Sequence, residues 1–229
     1  MSQCFVMSFG KGEVAVEIDV RVTQLLCSRL CHDLVGAVSA VNTGIEFMTD
    51  GDANSEALDL VNKSADRISR RLGFFRGALG FGGGRQGPLS LEEARELVHG
   101  WYLDAKPVLT WTPEMTAAGD GGTLKVPAIK MLMLITLIAE ECLARGGHVE
   151  VHAVDMDEGV GVAVRAVGED AKLSEDLYAG LNPNCASDTL TVRNVFAHWA
   201  QRIAQSQGSV LEVETTGNEV RFAVLFPSN

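Results

Sequence analysis

The chain has 229 residues, of which 46% are hydrophobic and 21% charged, with a formal net charge of −11. That is enough to bury a substantial core, and the composition is that of a globular protein, not a disordered one. The acidic balance, concentrated after residue 80, argues against nucleic acid or an anionic membrane as the main partner.

Residues 1–18 read as an N-terminal arm in which Val14, Val16 and Ile18 alternate as in a short strand. This stretch lacks a basic region followed by an apolar core, so no signal peptide is expected in it, and the longest apolar run, Met131 to Ala139, is too short to span a bilayer. The cysteines (Cys4, Cys27, Cys31, Cys142, Cys185) are odd in number and scattered, so a reduced, cytoplasmic chain without structural disulfides is expected.

From Asp19 the pattern turns helical. Val22, Leu25, Leu26, Leu30, Leu34, Ala37, Val38, Val41, Ile45 and Met48 recur at spacings of three and four. Residues 49–54 form a turn cluster, and Asn54 or Ser55 can cap a second helix with a stripe through Leu58, Val61, Ala65, Ile68, Leu72, Phe75 and Leu79. Two helices joined by a short loop make an antiparallel hairpin over 19–80. A single hairpin cannot hide two full apolar stripes, whereas two copies can, as a four-helix bundle. A homodimer is therefore expected.

Residues 81–88 are glycine-rich and read as a linker. Over 89–229 the pattern predicts a helix from Ser90, capped with Glu93, to about His99. A strand at Val108–Trp111 and a helix at Val126–Arg145 follow, then strands at His148–Asp155 and Val160–Val167. A helix from about Thr189 to Gln207 and strands at Val210–Glu214 and Val220–Phe226 complete the chain. The fold class is α+β, a helical hairpin followed by a sandwich with helices on one face of a sheet.

His32 lies roughly 150° from the centre of the first helix's apolar stripe, so it faces solvent or the groove beside a partner helix. Its neighbours at helical spacing are Ser28, Arg29, Val35, Gly36 and Ser39. Gly36, one turn on, leaves room for another protein to approach the imidazole. Asp33 can hydrogen-bond one ring nitrogen and leave the other free as a nucleophile. Hairpin geometry with the turn near Asp52 brings Arg71, Phe75 and Arg76 to the level of His32, where arginines would steady transferred charge or grip an acidic partner.

Competing readings fare worse. Cys27-x3-Cys31-His32 lacks the second pair of ligands a zinc site needs. His148 and His152 share a strand face, which suits a structural or surface role. A metal phosphohydrolase would need further His and Asp ligands on other helices, and the hairpin supplies none. A lone exposed His-Asp pair, taken by itself, is more often plain surface.

The run Cys27-Ser28-Arg29-Leu30-Cys31-His32-Asp33-Leu34-Val35-Gly36, followed by Asn42-x-Gly44-x-Glu46, resembles the phosphoacceptor helix of alphaproteobacterial histidine phosphotransferases of the ChpT type. Arg70-Arg71-Leu72-x-Phe74-Phe75-Arg76 resembles the second-helix signature of that family, and Arg145-Gly146-Gly147 fits its turn into a strand. The resemblance spans about residues 20–226. It implies a dimerisation and phosphotransfer hairpin followed by a degenerate histidine-kinase ATPase domain. His32 matches the phosphorylated histidine, Asp33 the following acid and Arg29 the basic residue one turn before. The implied partners are receiver domains of a hybrid histidine kinase and of response regulators, with Mg2+ supplied by the receiver and no cofactor bound by this chain. An active kinase domain of this kind needs an asparagine-bearing helix and glycine-rich loops. The 126–145 helix has no asparagine, and Gly168-Glu169-Asp170-Ala171-Lys172 lacks the glycine spacing. A relay without ATP-dependent kinase activity is therefore expected ahead of a dimeric signalling adaptor or a true kinase.

Overall fold

The computed structural model describes residues 19–49, 55–80, 87–112 and 124–227. The N-terminal arm, the turn at 50–54 and linker residues 81–86 lie outside these described residues.

Helix α1 (Val20–Thr49) starts where the Asp19 carboxylate accepts from the backbone N–H groups of Arg21 and Val22, at 2.9 and 3.3 Å. Helix α2 (Ser55–Leu79) returns beside it. At Gly44 the two are in close contact: an added Cβ would sit 2.6 Å from the Val61 side chain and 3.1 Å from the Ala57 carbonyl oxygen.

Helix α3 (Leu91–Tyr102) begins with the expected cap, Ser90 Oγ accepting from the Glu93 N–H at 3.1 Å. It runs one turn past His99, and Trp101 and Tyr102 carry it into the core. Strand β1 (Val108–Trp111) and helix α4 (Val126–Glu141) follow, α4 ending earlier than expected at a cap on Cys142. Gly146, at φ +98°, then takes a turn that only glycine adopts readily. Strands β2 (His148–Met156) and β3 (Gly159–Val167) form a hairpin.

Between β3 and the last helix the structure differs from the sequence reading. A short helix, α5 (Glu175–Leu181), was not expected; Ser174 caps it by accepting from the Leu177 N–H. The expected helix from Thr189 is a 3-10 turn at Ser187–Thr189, then a loop, then α6 (Val195–Ser206). Asn194 delays the helix by turning its side chain back to accept from the Thr191 N–H at 2.8 Å. Strands β4 (Glu212–Thr216) and β5 (Glu219–Pro227) close the chain.

The sheet has the order β1-β2-β3-β5-β4, with β1 parallel to β2 and the other pairs antiparallel. One face packs through Val149, Val151, Val162, Val164, Phe222 and Val224 against the helices. Helix α4 is the centre of this core: Met131 through Ala139 are buried without a break, and α2, α3, α6 and the sheet all touch it. The other sheet face carries charge, with Arg165 bonded to Glu150 at 2.6 Å and to Glu219 at 2.8 Å. The molecule is therefore mixed α+β, with helices on one face of a five-stranded sheet. None of the described helices is long and apolar enough to cross a membrane.

Candidate phosphotransfer site

The C-terminal end of α2 is tied into the core by aromatic rings. Phe74 lies 4.7 Å from Trp101, and Phe75 lies 5.4 Å from Trp101 and 6.0 Å from Phe196, centroid to centroid. This holds the first half of α1 against the loop that precedes α6. Arg21 donates to the carbonyls of Ser187 and Leu190, at 2.8 and 3.0 Å.

His32 stands on the outer face of α1 with its side chain 78% exposed. Its Nδ1 is 3.2 Å from Oδ1 of Asp33, whose carboxylate is only 9% exposed. The other Asp33 oxygen, Oδ2, accepts from Arg29 Nε at 3.0 Å. Arg29 in turn donates through Nη2 to Glu141 Oε1 at 2.6 Å and lies over the Phe196 ring, 5.3 Å from its centroid. Burial alone would lower the Arg29 pKa, but Glu141 and then Asp33 more than offset it, so the guanidinium is held above its ordinary value. Burial raises Glu141 above the usual carboxylate range, with Arg29 opposing.

Beside His32 opens a cavity of about 560 Å³, lined by Ser28, Arg29 and His32 from α1, Asp176 from α5, and Thr191, Val192 and Arg193 from the loop before α6. A nucleophilic imidazole edge, held by an acid and flanked by arginines, suits chemistry on a phosphoryl group. Among the described residues no three His, Cys, Asp or Glu side chains converge as metal ligands.

Residues 91–219 match the family described as histidine phosphotransferase C-terminal domain. The chain belongs to that family. The matched stretch lies after the hairpin that carries His32, but similarity to relatives extends over nearly the whole histidine phosphotransferase chain. The protein phosphotransferase ChpT of Brucella abortus (strain 2308) is 26% identical over 204 residues, covering 87% of this chain and 92% of that protein. A solved bacterial phosphotransferase shares the fold, with a TM-score of 0.76 at 23% identity over 90% of this chain and 97% of the other. The histidine kinase AdeS of Acinetobacter baumannii aligns with a TM-score of 0.48 at 13% identity, over 86% of this chain and 98% of that one.

The structure brings His32, Asp33, Ser28 and Arg29 together. Val35 and Ser39 are exposed on the same helix, and nothing lies within 4 Å of where a Gly36 Cβ would stand. Arg76 is also exposed. Phe75 is not available to a partner: it is 6% exposed inside the aromatic cluster, which corrects the expectation placed on it. Arg71 is half-buried, its guanidinium stacked 4.0 Å from the Trp101 ring centroid, so it braces the site from within. Sequence reasoning missed Glu141, Asp176, Thr191 and Arg193. Only Ser174-Glu175-Asp176, with its cap and acidic first turn, carried a local signal of a helix there.

Proposed function

We propose that the protein is a phosphorelay intermediate that takes a phosphoryl group from one receiver domain onto His32 and passes it to another. The observation that carries this reading is the exposed His32 ring with Nδ1 engaged by the nearly buried Asp33. With the ring proton on Nδ1 donated to Asp33, Nε2 keeps its lone pair and faces outward. Nε2 attacks the phosphorus of the receiver's aspartyl phosphate in line. The P–N bond forms as the P–O bond breaks, and the receiver's carboxylate leaves. The phosphoimidazolium then carries a positive charge that Asp33 offsets, and the reverse sequence discharges it onto the next receiver. Arg29 and Arg193 in the cavity lining offer donors to a phosphoryl group, and Mg2+ for the transfer is expected from the receiver.

The proposal includes a homodimer. Val35, Val38, Ile45, Phe47, Met48, Leu58 and Leu72 of the hairpin are all exposed large apolar side chains, and a second hairpin would bury them in a four-helix bundle. Partners are receiver domains of a hybrid kinase and of response regulators, met in the cytoplasm. ATP-dependent autophosphorylation is not part of the proposal, because α4 carries no asparagine to hold a nucleotide's magnesium.

A receiver domain charged with radiolabelled acetyl phosphate should transfer label to the wild-type protein and none to His32→Ala. Label persisting on His32→Ala would move the site elsewhere. Unlabelled wild-type protein that still binds receivers would favour an adaptor instead.

A further inference from the structure

We infer that Glu141, on α4 and outside the hairpin, is a positioning residue for phosphotransfer at His32, acting through Arg29 and Asp33. This role presupposes that His32 is the phosphoacceptor. Three contacts run in series: Glu141 Oε1 to Arg29 Nη2 at 2.6 Å, Arg29 Nε to Asp33 Oδ2 at 3.0 Å, and Asp33 Oδ1 to His32 Nδ1 at 3.2 Å. Each Arg29 nitrogen has a separate task, since Nη1 reaches the Val192 carbonyl at 3.4 Å, and Phe196 supports the guanidinium plane. Asp33 therefore cannot rotate away from His32 without breaking its bond to Arg29.

Glu141 does not touch His32 and cannot meet an incoming phosphoryl group directly. Its effect is on how Arg29 divides its charge. With Glu141 in place, two carboxylates share one guanidinium, and Asp33 is left with Oδ1 turned to the Nδ1 proton, where its charge offsets the phosphoimidazolium. Without it, the whole field of Arg29 falls on Asp33, and the far anchor of Arg29 is gone.

The other charges packed here have other commitments. Glu140 accepts from Trp101 Nε1, and Arg71 stacks on the Trp101 ring. Docking of the hairpin rests on Phe74, Phe75 and Ala78 in the core. The Arg29–Glu141 pair, with side chains 15% and 28% exposed, is largely withdrawn from solvent, where the cost of desolvation offsets much of the attraction. Its tight geometry is better explained by orientation.

The test uses the full-length protein and a receiver domain charged with radiolabelled acetyl phosphate, in single turnover. Glu141→Ala should slow transfer to His32 about tenfold, and the loss should vanish in an Arg29→Ala background, since contacting residues couple on this scale. Imidazole ¹⁵N spectra should show His32 moving from the Nδ1-protonated tautomer toward a mixture in Glu141→Ala. Glu141→Gln keeps the acceptor oxygen without the charge and should fall between; it also serves if the alanine variant does not fold. Wild-type rates and an unchanged tautomer in both variants would overturn the role of Glu141. So would an equal loss with Arg29 already removed. If wild-type His32 accepts no label, the phosphoacceptor reading fails, while the tautomer comparison still decides whether Glu141 acts on His32.

Discussion

The two ends of the helical hairpin meet different surroundings. Near His32, α2 sends Phe74, Phe75 and Ala78 into the core, and α1 is fixed through Arg21 and Arg29 to the loop before α6 and to α4. Toward the turn, Val38, Ile45, Phe47, Met48 and Leu58 stand between 37% and 52% exposed. One end buries part of its apolar surface within the chain and leaves Val35 and Leu72 exposed; the other is open along most of its length. Under the proposed function the difference would separate two jobs along the same pair of helices: holding the histidine in a fixed setting, and joining two copies.

Breaking the docked end should have the largest effect. Phe75→Ala removes a buried ring that touches Trp101 and Phe196, and it should cost about 3–5 kcal/mol of stability in denaturant unfolding. An unchanged midpoint would mean that this cluster does not hold the hairpin. At the open end, Ile45→Glu should leave the melting temperature of the monomer almost unchanged. It should weaken dimerisation by one to two orders of magnitude, as expected from losing about 1.5–3 kcal/mol of apolar burial. Sedimentation equilibrium would show this, and a dimer of wild-type strength would place the seam elsewhere.

The smallest effect concerns Glu140, beneath the docked end. Burial raises its carboxyl above the ordinary 4.5, with the Trp101 hydrogen bond and Arg71 only partly opposing. The folded state therefore binds this proton more tightly than the unfolded chain does. Its contribution to stability is full below 4.5 and declines as pH rises through the raised folded value. Glu140→Gln should lose that slope in melting temperature measured from mildly acidic to neutral pH. An identical slope in the variant would assign the dependence to another group.

Much of this was legible in the sequence where the signal is local and periodic. The stripes of α1 and α2, the Ser90 cap and the alternation of β2 and β3 all depend on near neighbours. Helix α5 escaped because seven residues are too few to display a stripe. The start of α6 was misplaced because nothing in Thr191-Val192-Arg193 shows that the Asn194 side chain folds back. Phe75 belongs both to an apolar stripe and to a signature motif, and the stripe is the better guide to its burial. Glu141 had no local signal at all: it meets Arg29 across 112 residues of chain, and only tertiary packing brings them together.

Gly36 shows what these surroundings ask of the sequence. In the isolated chain the space beside it is empty, so an alanine would fit and would gain about 1 kcal/mol of helix propensity. The free protein thus gives up stability at a position where none of its own atoms requires it. On the proposed relay, a residue that is suboptimal alone and open to an approaching surface would suit α1 to a transient complex more than to the resting fold.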